Sequence, residues 1–213
     1  MSLLNSPVVL ENERVRLEPL EEKHFDALNQ IAKNKEIWEF TSAKVNSTRD
    51  FRKYFDTALE EVSKRVSYVF AVFDKQENKY GGCTRYANIS LPNKRLEIGW
   101  TWYHPALQRT GLNRNCKFLL LSFGFEELGL NRIELKTSHL NLKSQKAMEQ
   151  IGAQKEGILR RHLIDENGNV SIEEINSANP RLSSYVKGQL QNMKIRTSGE
   201  SQKFVLVINF KVA

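Results

Sequence analysis

Between residues 66 and 103 the apolar residues change from helical spacing to strand spacing, and this stretch constrains the fold more than any other. Before it, Phe25, Leu28 and Ile31 recur at helical spacing. So do Phe51, Phe55, Leu59 and Val62, behind a cap candidate at Ser47 or Thr48. Val66 to Phe73 then reads as a strand, followed by a polar turn over 75–79. Gly81 to Leu91 is a second strand, Pro92-Asn93 turns the chain, and Leu96 to Tyr103 is a third, rich in aromatics. Connections this short suit antiparallel neighbours, because a parallel return needs a crossover of a dozen or more residues. The sequence therefore predicts an antiparallel meander.

The flanks add helices and further strands. Residues 13–19 alternate polar and apolar up to Pro19, which reads as a half-buried strand. A helix is expected from about Leu112 to Leu128, stopped by Gly129. A strand follows over 133–137. Another helix runs from Leu142 to Ile151, with Asn141 as N-cap and Gly152 just past its end. Residues 155–164 read as a strand and Asn167-Gly168 as a hairpin turn. The order βααβββαβαβ points to an α/β architecture of the α+β kind, with a mixed, mostly antiparallel sheet. Residues 1–176 are expected to form the main domain. Residues 177–213 would be an extension, with a helix over 180–193 and a late strand over 204–212. Either Val170 to Ile175 completes the hairpin, or the tail does so, or the tail pairs with another subunit, so monomer and homodimer both remain open.

Composition narrows the function classes. The 213 residues are 40% hydrophobic and 27% charged, ordinary for a globular chain. No apolar run reaches the roughly 18 residues of a membrane helix. The opening lacks a basic segment followed by an apolar one, so a cytoplasmic protein is expected. Cys83 and Cys116 read as buried free thiols. His24, His104, His139 and His162 are scattered, and no metal site is expected. The net charge is +7. Ten Lys/Arg against five Glu between His104 and Ile164 place +5 of it around one loop. Aromatics are not interleaved with these basic residues, which favours a phosphate-rich small ligand over nucleic acid.

That loop carries the chemistry. From Leu96 to Asn113 a strand runs into Gln108, Arg109, Thr110 and Gly111, and a long helix opens at once. Unsatisfied N–H groups at a helix start form an anion site. Gly111 lets a phosphate approach closely, and Arg109 and Arg114 add charge. Read alone, the segment is equally compatible with an ordinary glycine corner.

Several ordered motifs accompany it: Glu-Ile-Gly-Trp (97–100), Gln-Arg-Thr-Gly (108–111), Leu-Asn-Arg-Ile-Glu-Leu (130–135), Asn-x-x-Ser (141–144) and Ile-Gly-Ala-x-x-Glu-Gly (151–157). Over residues 10–165 the chain resembles the GNAT acetyltransferase superfamily, in the branch of the RimJ/RimL ribosomal-protein Nα-acetyltransferases. The resemblance implies a central sheet with splayed middle strands, and acetyl-CoA as co-substrate. Its pyrophosphate would lie on the amides of Gln108, Arg109, Thr110, Gly111, Leu112 and Asn113. Its pantetheine arm would pair with the strand at Trp100, Thr101 and Trp102, with Asn141 and Ser144 near the sulfur end.

Acetylation of an amine needs a proton taken from the nucleophile and charge relieved at the leaving thiolate. The resemblance makes Glu97 the candidate for the first role, through water, and Ser144 or Tyr103 candidates for the second. Each has a plainer reading, as a salt-bridged strand residue, a first-turn helix residue and a packed aromatic. Trp38, Phe40 and Tyr54, with Glu97, could line the acceptor pocket, although core packing is the commoner fate of such aromatics. The acceptor could be a protein N-terminus or a small amine such as a polyamine or aminoglycoside. A silent acyl-CoA-binding module is the rival class. The chain departs from the family at Asn113, where Gly or Ala is commoner, at Asn115-Cys116 in place of Glu-Ala, and after Gly168.

Overall fold

Six strands lie side by side in sequence order: β1 (Leu10–Glu11), β2 (Val15–Pro19), β3 (Tyr68–Asp74), β4 (Lys79–Ser90), β5 (Arg95–Tyr103) and β6 (Arg132–Glu134). All neighbours are antiparallel except β5 and β6, which run parallel because a helix carries the chain across between them. The helices are α1 (Phe25–Ala32), α2 (Thr48–Ser63), α3 (Leu112–Ser122) and α4 (Leu142–Glu149). This computed structural model describes residues 7–41 and 43–157. The hairpin, helix and strand expected after residue 157 lie outside the described residues. Of the strand expected over 155–164, residues 155–157 are described and belong to no strand.

Two apolar layers sandwich the sheet. Val15, Leu17, Phe70, Val72, Tyr86, Leu96 and Ile98 pack with Leu112, Cys116 and Leu120 of α3. Val69, Ala71, Cys83 and Trp102 pack with Leu28 and Ile31 of α1 and Phe51, Phe55 and Ala58 of α2. Alternate residues of β3 thus enter opposite layers, which is why its run is apolar almost throughout. Each large side chain removed from water contributes about 1.5–3 kcal/mol. Both cysteines are buried free thiols.

Local chemistry sets the ends of the elements. Ser47 caps α2 by accepting the Asp50 N–H at 3.1 Å. Asn141 caps α4 by accepting the Ser144 N–H at 3.0 Å. The helix expected to reach Leu128 changes form at Phe123. Residues Phe123–Glu127 make a π turn, with the Leu128 N–H donating to the Phe123 carbonyl, and Gly129 ends it at φ +62°. Gly124 sits where this turn meets β6. A Cβ there would lie 2.6 Å from Ile133 Cδ1, so a larger residue would make the Ile133 side chain shift. No helix among the described residues is long and apolar enough to cross a membrane.

Candidate active site

The site is organised by the parting of β5 from β6. The two strands pair only over Arg95–Arg132, Leu96–Ile133 and Glu97–Glu134. Beyond Glu97, no described strand pairs with that side of β5. Its backbone groups from Ile98 to Tyr103 form a free edge, the splay that the resemblance implied. Within this edge Trp100 adopts φ +48°. Cys83 pairs with Trp102 and Arg85 with Gly99, so Thr84 alone faces both Trp100 and Thr101. That two-against-one count is a β-bulge, a device that re-aims side chains and interrupts pairing. It leaves Trp100 exposed and turns Thr101 to bond Lys117 of α3.

The edge leads straight into the phosphate-loop candidate. Pro105–Leu107 form a short turn, Gln108 is extended, and Arg109 (φ +65°) and Gly111 (φ +89°) are left-handed on either side of Thr110. The Thr110 hydroxyl donates to the Leu107 carbonyl at 2.8 Å, fixing the loop. Gly111 is the residue before α3. No side chain caps that helix start, and its first turn holds no acid. A Cβ on Gly111 would meet nothing nearer than Asn115 Nδ2 at 4.0 Å, so the approach is open. Asn115 donates to the Gly111 carbonyl at 3.1 Å, while its side-chain oxygen accepts from Asn12 at 3.0 Å. This departure from the family pattern ties the helix start to the sheet.

The structure settles where the candidate side chains lie. Glu97 is 5% exposed, and its Oε2 accepts from Asn88 Nδ2 at 2.7 Å and Lys136 Nζ at 2.5 Å. It is a salt-bridged strand residue, but a buried one that ties the mouth of the splay. Tyr103 lies in the α3-side core. Its hydroxyl has no oxygen or nitrogen partner, with the Cys116 thiol as polar neighbour, and burial pushes its pKa well up. This is the packed-aromatic reading. Ser144 is half-buried in the first turn of α4, held by the Asn141 cap.

Trp38 and Tyr54 do come together, with ring centroids 5.3 Å apart, and Trp102 joins them at 5.6 Å from Trp38. Trp38 is core, its indole N–H donating to the Ala32 carbonyl at 2.7 Å. Phe40 is exposed and makes no ring contact with this group.

Sequence reasoning missed the polar centre of this face. Arg85 on β4 is buried, pairs with Glu61 of α2 at 2.6 Å, and donates to the Tyr54 hydroxyl at 3.3 Å. Its guanidinium lies 5.2 Å from the Trp100 ring centroid. Trp102 also donates to the Tyr54 hydroxyl, at 3.2 Å. Among the described residues, Glu61 Oε1 has no hydrogen-bond partner, while Oε2 takes Arg85 and Ser67. Burial, partly offset by Arg85, raises the Tyr54 pKa. No group of His, Cys, Asp or Glu among the described residues could hold a metal ion.

Comparison with known proteins identifies relatives of this fold. The family model described as an acetyltransferase (GNAT) domain matches residues 14–154. An uncharacterized N-acetyltransferase p20 of Bacillus licheniformis is 29% identical over 156 residues, 71% of this chain and 85% of that protein. A GCN5-related N-acetyltransferase from Brucella melitensis superposes with a TM-score of 0.69 at 26% identity, covering 78% of this chain and 76% of that one. A probable GNAT acetyltransferase from Chromobacterium violaceum gives 0.66 at 28% identity, covering 73% and 78%. Ribosomal-protein acetyltransferases, RimL among them, match at 17–21% identity, which shows a shared fold.

Proposed function

The chain belongs to the GNAT acetyltransferase family and is an acetyltransferase; from that premise we propose that it moves acetyl from acetyl-CoA to a primary amine by direct attack in a ternary complex. The observation that carries the reading is the free edge of β5 followed, after the turn at Pro105–Leu107 and the loop over 108–111, by the uncapped start of α3. One is a ladder of unpaired backbone groups suited to an amide-bearing arm. The other is an anion site with Arg109 and Arg114 beside it. When bound, acetyl-CoA supplies the activated acyl group as a thioester.

The remaining work falls to the chain. Amides of residues 108–113 hold the pyrophosphate, and Gly111 leaves room for it. The β5 edge at Trp100, Thr101 and Trp102 orders the arm and offers an N–H to the carbonyl oxygen as it gains charge. Asn141 fixes the first turn of α4, where Ser144 is a donor for the departing thiolate. The acceptor amine, a protein N-terminus or a small molecule, approaches on the α2 face. There the exposed Trp100 and the open oxygen of Glu61 suit a cation. Glu97 acts through water, its carboxylate already held by Asn88 and Lys136.

Calorimetric titration with acetyl-CoA tests this. The wild type is expected to bind with micromolar affinity. Gly111→Glu is expected to weaken binding at least about tenfold, by strain at positive φ and by like charge near the phosphates. Absence of wild-type binding sinks the reading, and unchanged affinity in the variant sinks the loop assignment. A panel of N-terminal peptides, polyamines and aminoglycosides then identifies the acceptor.

A further inference from the structure

Among the described residues, Lys117 is the only buried lysine, 5% exposed on α3. Its Nζ donates to Thr101 Oγ1 at 2.9 Å, and Thr101 Oγ1 lies 2.7 Å from Thr84 Oγ1. No described carboxylate pairs with it. A buried ammonium without a counter-charge opposes folding, and a methionine would occupy the same space without that penalty. A charge retained there calls for a use.

Its position suggests one. Thr84 and Thr101 are the residues that meet at the β5 bulge, and Lys117 reaches them from behind, on the side opposite α2. In acetyl transfer the amine nitrogen bonds to the acetyl carbon and the C–S bond breaks. Negative charge passes from the carbonyl oxygen to the CoA sulfur, the amine loses a proton to solvent, and the sulfur takes one up. A fixed cation behind the strand stabilises both negative stages.

We propose that Lys117 is a positioning residue for acetyl transfer: through the Thr101 hydroxyl its ammonium holds β5 at the bulge and sets positive charge behind the free edge that receives the thioester. This rests on the acetyl-CoA reading above. Burial brings the Lys117 pKa down to about 8. The neighbouring titratable groups lie elsewhere. Burial pushes the Cys116 thiol up to about 11 and raises the Tyr103 pKa well above its usual value, and Asp74 is ion-paired with Arg14. The ligand's own phosphates titrate near 6.

The test is proton linkage. Acetyl-CoA is titrated into the full chain between pH 7 and 9, in two buffers of different ionisation enthalpy. A group half-protonated when free gains about half a proton at pH 8 if binding completes its charge. The wild type is expected to show that uptake, with affinity falling as pH rises through 8. Lys117→Met is expected to abolish the uptake. Lys117→Arg keeps the charge and should bind without uptake. Thr101→Val, which leaves the amine in place, should at least halve the uptake. Binding by the wild type without uptake, or uptake at pH 8 unchanged in Lys117→Met, overturns the proposal. Failure of the wild type to bind acetyl-CoA overturns the earlier reading and this inference with it.

Discussion

Replacing Lys136 with methionine probes the join between β5 and β6. Lys136 Nζ lies 2.5 Å from Glu97 Oε2 and 3.5 Å from Glu134 Oε2, and Glu134 in turn meets Arg95 and Arg132 at 3.2 and 3.0 Å. The Glu97 side chain is only 7% exposed, whereas that of Lys136 is 31% exposed. Removing one partner of a fully buried pair costs about 3–5 kcal/mol; partial exposure of Lys136 scales this to about 1.5–3 kcal/mol. For a domain of this size that lowers Tm by roughly 4–10 °C. The loss arises because the buried Glu97 carboxylate is left with Asn88 as its one remaining donor among the described residues. Glu97→Gln removes that charge, so the double variant should recover about 1–2 kcal/mol relative to the sum of the singles. Urea denaturation of the four proteins, followed by far-UV circular dichroism, measures the cycle. A Lys136→Met protein within about 0.5 kcal/mol of wild type, or strictly additive singles, would refute the claim that this pair holds the mouth of the splay.

Two further outcomes follow from buried polar contacts. Tyr86→Phe removes the hydroxyl that donates to the Leu120 carbonyl at 2.6 Å inside the core, and is expected to lower stability by about 1–3 kcal/mol in the same denaturation assay. Burial would raise the Glu18 pKa, but hydrogen bonds from Tyr80, His24 and Arg16 bring it down to about 2. A depressed carboxylate contributes stability that is complete above its unfolded pKa near 4.5 and is lost as pH falls towards 2. Glu18→Gln should therefore flatten the acid limb of the stability curve between pH 5 and 2, removing about 2–3 kcal/mol of pH dependence. An unaltered limb would show that Glu18 is not held by those donors.

Much of the fold was legible because the signals were local. Short turns between β-forming runs dictate an antiparallel meander. Asn141 three residues before Ser144, and Gly111 ahead of an apolar helix, announce the element ends where they occur. Signals that depended on a distant partner were not legible. Arg85 and Glu61 are 24 residues apart, and nothing in either neighbourhood marks the ion pair. The bulge at Trp100 exists only in the register of β4 against β5. The π turn hid inside an apolar pattern that continues past Ser122. Lys117 could have been found: it stands three residues before Leu120 and next to Cys116, on the stripe that α3 buries, where a lysine does not belong without a reason. Phe40 and Tyr103 were chosen by residue type, and type alone did not reveal that Phe40 would be exposed and Tyr103 part of the core.

The six-strand order gives the proposed cleft two walls of unequal strength. On one side β5 is pinned to β4 along most of its length, and β4 to β3 beyond it. On the other, β6 is held by three residue pairs, by charges that run from buried to exposed, and by Ile133 packed against Gly124. Local opening follows the weaker pairing. Any widening of the cleft is therefore expected on the β6 side, where the pairing is shorter, while the bulge and Thr101 stay with β4. A ligand would then be aligned by the wall that is paired along more of its length.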